Sequence, residues 1–252
     1  VRLTRLHVPV PLAATGELEL PEAAAAHVSR VLRLRPGAPL VLFDGSGNDL
    51  RAEVSSVTGG RVRVRILERL PGLPESPLAV TLVQGVSRGE RMDWTLQKAT
   101  ELGVRRIRPV TTVRSVVRLD ERQGERRLHH WEAVVASACE QCGRSVLPVV
   151  EPPVTLSQFL GEPSGTPWRL LLHPRGPDTL AGTVADWFGS RSSGLEPLEL
   201  LIGPEGGLDE GEAAAVLAAG YAAVRLGPRV LRTETAGIAA LAVLQALAGD
   251  LR

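Results

Sequence analysis

At 252 residues and 44% hydrophobic content, the chain is long enough to bury a real core, in one large domain or two smaller ones. A net charge of +1 excludes a polycation, and no apolar run reaches the roughly 20 residues that a bilayer-crossing helix needs. Val1 to His7 holds no apolar signal core, so the expected location is the cytoplasm. Positive charge is nearly all arginine, and Lys98 is the only lysine. Arginine suits bidentate phosphate contacts and stacking on bases, although enrichment in Ala, Gly and Arg along the whole chain also fits a biased host composition.

From the N-terminus, Leu3 to Val8 reads as a short strand and Pro21 to Arg33 as a helix with proline where a first turn tolerates it. Pro39 to Phe43, Leu50 to Val57 and Arg61 to Ile66 read as strands, separated by turns at Asp44-Gly-Ser-Gly-Asn48 and Thr58-Gly-Gly60. Several short strands with one helix suggest a small barrel. Arg61 to Ile66 alternates strictly, with three arginines on one face. Together with Arg30, Arg33 and Arg35 these make a basic surface, which is either a solvated strand face or a phosphate contact. Leu70 to Pro77 is rich in Pro and Gly and reads as a linker.

After it, strands and helices alternate. Strands are predicted at Leu78–Gln84, Ile107–Val110, Leu147–Val150, Trp168–Leu172, Leu198–Ile202 and Ala222–Leu226. Helices are predicted at Glu90–Leu102, Glu121–Cys142, Pro177–Phe188, Glu210–Ala219 and Thr233–Ala248. This pattern argues an α/β domain with a parallel sheet covered by helices. Gly103 fits the C-cap of the first helix, and the Ser/Gly run from Gly189 to Gly194 reads as a surface loop. Cys139 and Cys142 sit i, i+3 on a predicted helix; a single CxxC completes no four-ligand zinc site, so reduced, helix-packed thiols and no metal are expected.

Two loops carry the chemistry. Gly203-Pro-Glu-Gly-Gly207 follows one strand, and Leu226-Gly-Pro-Arg-Val-Leu-Arg-Thr-Glu-Thr-Ala236 follows the next, with Thr233 expected as a helix N-cap and Glu234 in the first turn. Gly/Pro-rich loops on successive strand ends make a crevice, where open α/β sheets bind ligands. Neither a Gly-x-Gly-x-x-Gly dinucleotide loop nor a Walker A loop is present.

These motifs occur in order with His27-Val-Ser-Arg-Val-Leu-Arg-Leu34, Pro36-Gly37, Phe43-Asp44-Gly45, Gln97-Lys-Ala-Thr-Glu-Leu-Gly-Val104, Arg114-Ser115, Glu140-Gln141 and Arg144. Over nearly the whole chain the set resembles the bacterial 16S ribosomal RNA (uracil-N3)-methyltransferases of the SPOUT superfamily. The resemblance implies a PUA-like RNA-binding β-barrel over residues 1–71 and a methyltransferase domain with a deep trefoil knot over residues 72–252. It implies S-adenosyl-L-methionine as cofactor and a homodimer. The implied substrate is one uridine near the 3′ end of 16S rRNA, in the decoding region of the small ribosomal subunit.

On that resemblance the cofactor is assigned to Leu172, Gly203, Gly206, Leu226, Leu231, Thr233 and Ala236, with Leu201, Leu226, Leu231 and Ile238 as an apolar bed for adenine. Core packing is the plain alternative for the leucines. Uracil N3 carries a proton that must leave before N3 attacks, so a base or stabilisation of the anion is needed. Glu205 and Glu234 are the candidate bases and Arg232 the candidate stabiliser. Against that, Glu205 also reads as pinning its own loop and Glu234 as serving the helix dipole. Arg30, Arg33, Arg88, Arg91, Lys98, Arg114 and Arg144 are the candidate RNA contacts, with a Lys98–Glu101 helix pair as the alternative for the lysine. The competing functions are a ribose 2′-O-methyltransferase of the same superfamily, a non-catalytic RNA-binding relative, and a small-molecule α/β enzyme.

Overall fold

The computed structural model describes residues 3–117, 120–189 and 196–251. Most of the expected Ser/Gly loop lies outside the described residues. The chain divides into two compact units, residues 1–75 with 136–147 and residues 76–135 with 148–252.

The first unit contains β1 (Thr4–His7), β2 (Gly16–Glu19), α1 (Glu22–Ala26), β3 (Pro39–Phe43), β4 (Asn48–Thr58) and β5 (Arg61–Pro71). They form one sheet in the order β1-β3-β4-β5-β2, antiparallel except for β1 beside β3. Gly59 and Gly60 both take positive φ (58° and 83°), which closes the β4–β5 hairpin with the twist its strands require. Alternate residues of every strand turn inward. Leu6, Leu40, Leu42, Leu50, Val54, Val62 and Val64 join Ala24, Ala25 and Val28 in one buried cluster, with Leu18 of the edge strand packed against it.

Two of the three outward arginines expected on β5 are neutralised by carboxylates. Arg63 pairs with Glu19 at 3.3 Å and Arg65 with Glu53 at 3.5 Å, each with the residue in register on the neighbouring strand. The predicted helix is helical as far as Val31, but it changes type on the way. After Ala26 the chain widens into a π-type turn over His27–Val31, closed by the Leu32 N–H on the His27 carbonyl at 2.9 Å.

Residues 136–147 are built into this unit. The His7 N–H donates to Glu140 at 2.9 Å. Arg5 pairs with Asp49 and donates to the Arg144 carbonyl at 3.0 Å, and Ser145 Oγ donates to Asp49 at 2.5 Å. The Gly47 N–H meets the Ser145 carbonyl at 3.1 Å. Residue 72 is glycine because a Cβ there would overlap the Ser145 side chain and the Gly47 carbonyl. Both cysteines are free, and Cys139 is buried. Its hydrogen bond to Cys142, then burial, push the Cys139 thiol far above its ordinary range, which makes it inert.

The second unit begins with β6 (Val80–Gly85), α2 (Glu90–Glu101), β7 (Arg106–Thr111) and α3 (Glu121–Cys142), whose last turns belong to the first unit. It continues with β8 (Val149–Val150), β9 (Val154–Thr155), α4 (Leu156–Gly161), β10 (Trp168–Leu172), β11 (Asp178–Thr179) and α5 (Leu180–Gly189). It ends with β12 (Leu198–Ile202), α6 (Glu210–Ala218), β13 (Ala222–Arg225) and α7 (Thr233–Ala248). The sheet runs β11-β13-β10-β12-β6-β7-β8, with β9 also against β7, and every ladder is parallel. Strand residues alternate between two buried faces, as expected where helices cover both sides. Val80, Leu82, Ile107, Leu170, Leu200 and Ile202 pack with residues of α2, α3, α5 and α7, while Val83, Val110, Leu171 and Leu201 pack with α4 and α6.

Helix ends follow local chemistry. Asp209 and Glu212 form a reciprocal capping box at α6, as do Thr155 and Gln158 at α4, a helix the sequence reading missed. Gly103, at φ 77°, follows the C-cap of α2. In α7 the apolar stripe is mostly internal core. Leu241 and Leu244 are wholly buried, Ile238 is half-buried and Leu247 is exposed. Among the described residues no helix is long and apolar enough to cross a membrane.

Candidate active site

Three neighbouring strands, β13, β10 and β12, end at the same edge of the sheet. The loops that leave them, His173–Pro177, Gly203–Leu208 and Leu226–Arg232, enclose a cavity of about 450 Å³. This is the crevice beyond the carboxyl ends of the strands, where ligands bind in open parallel sheets.

The glycine loop is held in a tight fold. The Gly207 N–H bonds the Pro204 carbonyl at 2.8 Å, and a Cβ on Gly206 would lie 3.0 Å from the Cβ and carbonyl oxygen of Arg114. Gly85, the last residue of β6, is packed so closely that a Cβ would overlap the Pro204 backbone. The loop is also tied to α7. Thr233 Oγ1 donates to the Gly203 carbonyl at 2.6 Å and accepts from Gln84 Nε2 at 3.0 Å. The expected capping role therefore moves. Arg232, extended at φ −63° and ψ 150°, is the N-cap, and Thr233 is the first helical residue, buried at 8% exposure. Its hydroxyl is engaged between the Gly203 loop and the end of β6 and is not available to cap. Gln84 is a residue at the site that the sequence reading missed; its signal is a glutamine near the end of a mostly apolar, buried strand.

Glu205 Oε1 accepts from the Arg88 N–H at 3.0 Å and from Arg91 Nη1 at 3.2 Å. Partial burial acts to raise its pKa, but these hydrogen bonds and the Arg91 charge outweigh it and hold the carboxyl below its ordinary value. Glu205 is thus a firmly ionised anchor. Glu234 differs. Its Oε1 lies 4.0 Å from Arg91 Nε, whereas its Oε2 is buried and unpartnered, and the residue lines the cavity. Arg232 is exposed at the cavity wall, and no ion pair of its guanidinium is found among the described residues.

Leu172, Gly203, Leu226, Leu231, Thr233 and Ala236 all line the cavity, so most of the expected cofactor set comes together in one place. Two members stand apart. Leu201 is wholly buried in the cluster under α4 and α6, because adjacent residues of a strand point to opposite faces. Gly206 stands against Arg114 and lines no part of the cavity. Ile238 does not line it either. The N–H groups of Val230 and Leu231 have no protein partner among the described residues and suit a ligand with acceptor atoms. Half-buried leucines, free backbone donors and close backbone approach fit a nucleoside-bearing cofactor. Arg175 and Arg229 also line the cavity and were not foreseen.

The expected RNA contacts separate. Arg91 and Arg114 line the cavity; Arg88 is exposed beside it, its N–H on Glu205. Arg30 and Arg33 are exposed on the first unit, Arg33 at φ 52°, a conformation rarely adopted outside glycine. Lys98 pairs with Glu101 at 2.8 Å and lies over the Trp94 ring at 4.9 Å, which favours the helix-pair reading. Arg144 must be corrected: it is 5% exposed and paired with Glu75 inside the first unit, a framework role in place of a surface cation.

Comparison with known proteins follows this geometry. A model of the RNA methyltransferase domain matches residues 74–245, and a model of the RNA methyltransferase PUA domain matches residues 20–67. The chain is 36% identical to the ribosomal RNA small subunit methyltransferase E of Mycobacterium tuberculosis over 88% of this chain and 83% of that one. Among solved structures, a Legionella pneumophila chain in complex with S-adenosylmethionine is similar at 40% identity and a TM-score of 0.91, with both chains covered in full. The ribosomal RNA small subunit methyltransferase E of Neisseria gonorrhoeae, bound to S-adenosylmethionine, is similar at 36% identity and 0.88, also in full. The chain belongs to the ribosomal RNA small subunit methyltransferase E family of RNA methyltransferases.

Proposed function

We propose that the protein methylates N3 of one uridine near the 3′ end of 16S rRNA in the small ribosomal subunit, with S-adenosyl-L-methionine as cofactor. The observation that carries this reading is a cavity at the strand ends that brings leucine walls, free backbone donors, Arg232 and Glu234 together. Leu172, Leu226, Leu231, Thr233 and Ala236 hold the cofactor, with the Gly203 loop close against it. When bound, S-adenosyl-L-methionine supplies an activated methyl group on a sulfonium.

The chain's own residues position the uridine and handle its proton. Glu234, whose side chain lines the cavity, accepts the N3 proton on its carboxylate. The N3 lone pair so released forms the new N–CH₃ bond as the sulfonium–methyl bond breaks. Arg232 stabilises the negative charge on the uracil oxygens. Glu205 holds Arg91 and the Arg88 backbone, and through Arg91 keeps Glu234 in place. Arg88, Arg91 and Arg114 meet RNA phosphates at this rim, and Arg30 and Arg33 do so on a PUA-like barrel. The second unit forms a deep trefoil knot, a reading supported by β13 returning to the far side of β10 and by the ties from Thr233 to Gly203 and Gln84. The protein works as a cytoplasmic homodimer.

The test uses small ribosomal subunits lacking this modification, incubated with the protein and S-adenosyl-L-methionine, followed by nucleoside mass spectrometry. N3-methyluridine at a single site is expected. A ribose-methylated nucleoside would replace this reading with the 2′-O reaction, and absence of both methylation and cofactor binding would favour a non-catalytic RNA-binding role.

A further inference from the structure

The opposite edge of the same sheet holds a second cavity, of about 390 Å³, at the amino ends of β6, β7, β10 and β12. Central strands of a parallel sheet are normally apolar throughout. Here Arg169, Glu199, Thr81 and Arg106 stand in one register row across four adjacent strands: Arg169 beside Glu199, Glu199 beside Thr81, and Thr81 beside Arg106. They share the face of Leu171, Leu201 and Val83, two residues further along their strands, and Arg108 follows Arg106 on that face. Placing such a row beneath a roof is unfavourable unless each group is satisfied.

Part of the row is frame. Arg169 donates to the carbonyls of Thr166, Ala219 and Ser164 at 2.8–3.0 Å. Glu199, 8% exposed, accepts from Tyr221 Oη at 2.7 Å and Ser164 Oγ at 3.1 Å. These bonds fix the loop over the cavity. The remainder is not fully engaged. Arg108 lies over the Phe159 ring at 5.2 Å and donates through Nη2 to Glu162 at 2.6 Å, but its Nε is buried without a partner. Glu162 comes from the roof loop and its side chain is 46% exposed, so it can swing away. Arg106, two residues from Arg108 on the same face, reaches out to Glu151.

We infer that this cavity is a second binding site, for a small molecule bearing a phosphate or diphosphate group, with Arg108 and Arg106 as its anion clamp, each held until the ligand arrives by an internal carboxylate, Glu162 on Arg108 and Glu151 on Arg106. The row Cβ spacing along β7, about 6.6 Å between residues two apart, suits a dianion bridging two guanidinium groups. Arg169, Glu199 and Tyr221 supply the rigid frame, and Thr81 lines the cavity beside the clamp. The site is independent of the methyl-transfer reading, because its residues belong to the other edge of the sheet.

Calorimetric titration of the full chain with pyrophosphate, with inorganic phosphate and with a short single-stranded RNA tests this. Saturable binding of pyrophosphate or phosphate is expected, undisturbed by saturating S-adenosyl-L-methionine. Glu162→Ala frees Arg108 and tightens binding at least about fivefold, since an internal competitor lowers apparent affinity by the fraction of time it occupies the site. Arg108→Gln weakens binding at least about tenfold, and Arg106→Gln, at a more exposed position, gives a smaller loss in the same direction. The inference is overturned if neither the native chain nor Glu162→Ala binds either anion saturably. It is equally overturned if Arg108→Gln and Arg106→Gln, both folded by thermal unfolding, bind as the native chain does. Displacement by S-adenosyl-L-methionine, or binding of the RNA alone, would overturn it too.

Discussion

The two edges of one parallel sheet solve opposite problems. At the carboxyl edge, β10, β12 and β13 end in glycine- and proline-rich loops whose side chains are mostly apolar or exposed, and the polar work falls to backbone groups and to a few carboxylates and arginines. At the amino edge the loops contribute little charge of their own beyond Glu162, and the strands themselves carry Arg106, Arg108, Arg169 and Glu199. One site is built from loops that approach closely; the other is built from side chains that a rigid ladder holds in register.

The largest effect separating the two edges should come from Glu234→Gln. Methylation of small subunits should fall about 100- to 10,000-fold, the range for a general base, with little change in cofactor affinity or in pyrophosphate binding. A fall of less than about tenfold in a single-turnover assay would remove Glu234 from the proton transfer. Next is Thr233→Val, which deletes the tie between the Gly203 loop and Gln84. Leaving one of the two Gln84 Nε2 hydrogen bonds unmade and the Gly203 carbonyl without its donor should lower stability by about 1–3 kcal/mol in denaturant titration. Cofactor affinity should fall with it, while the amino-edge cavity keeps its affinity.

A third contrast is in pH. The Glu205 carboxyl sits below its ordinary value when folded, so its stabilising contribution is complete above the ordinary glutamate range and is lost as pH falls through the folded value. Unfolding measured between about pH 3 and 6 should therefore show a loss of stability in acid that is smaller in Glu205→Gln. An unchanged acid slope would mean that the Arg88 and Arg91 contacts do not act on this group in solution. The smallest effect belongs to Lys98→Ala. Its partner Glu101 is partly exposed, so stability should change by less than about 1 kcal/mol. Methylation should stay within about twofold if the lysine serves α2 and not RNA.

Much of this was legible in sequence for a definite reason. The bounds of β3, β10, β12, α3 and α7 follow from apolar periodicity and turn residues alone. The two loops of the candidate active site were legible because glycine and proline mark them. What sequence did not disclose depends on partners distant along the chain. Thr233 looks like a cap by local rules, and only Gln84 and Gly203, arriving from two other strands, recruit its hydroxyl. Arg144 looks like a surface cation beside a cysteine motif until Glu75 is placed against it. Leu201 is a different kind of miss: strand alternation separates it from Leu200 and Ile202, and the motif containing it obscured that simple period. The polar row at the amino edge was present in the sequence as charged residues inside apolar runs, one each in β10 and β12 and two in β7, but register across strands is what turns them into a site.

The placement of residues 136–147 inside the first unit has a consequence for biogenesis. Asp49, Arg5 and Glu75 meet Ser145 and Arg144 only after a further stretch of chain has been made. At ordinary elongation speeds of about 5–20 residues per second, some 60–70 intervening residues delay completion of this unit by about 3–14 s after its last strand has emerged. During that interval the five strands must persist with an ionic cluster half assembled. The N-terminal unit is therefore finished during synthesis of the domain that follows it, and a fragment ending near residue 75 would reproduce the waiting intermediate and not the native fold.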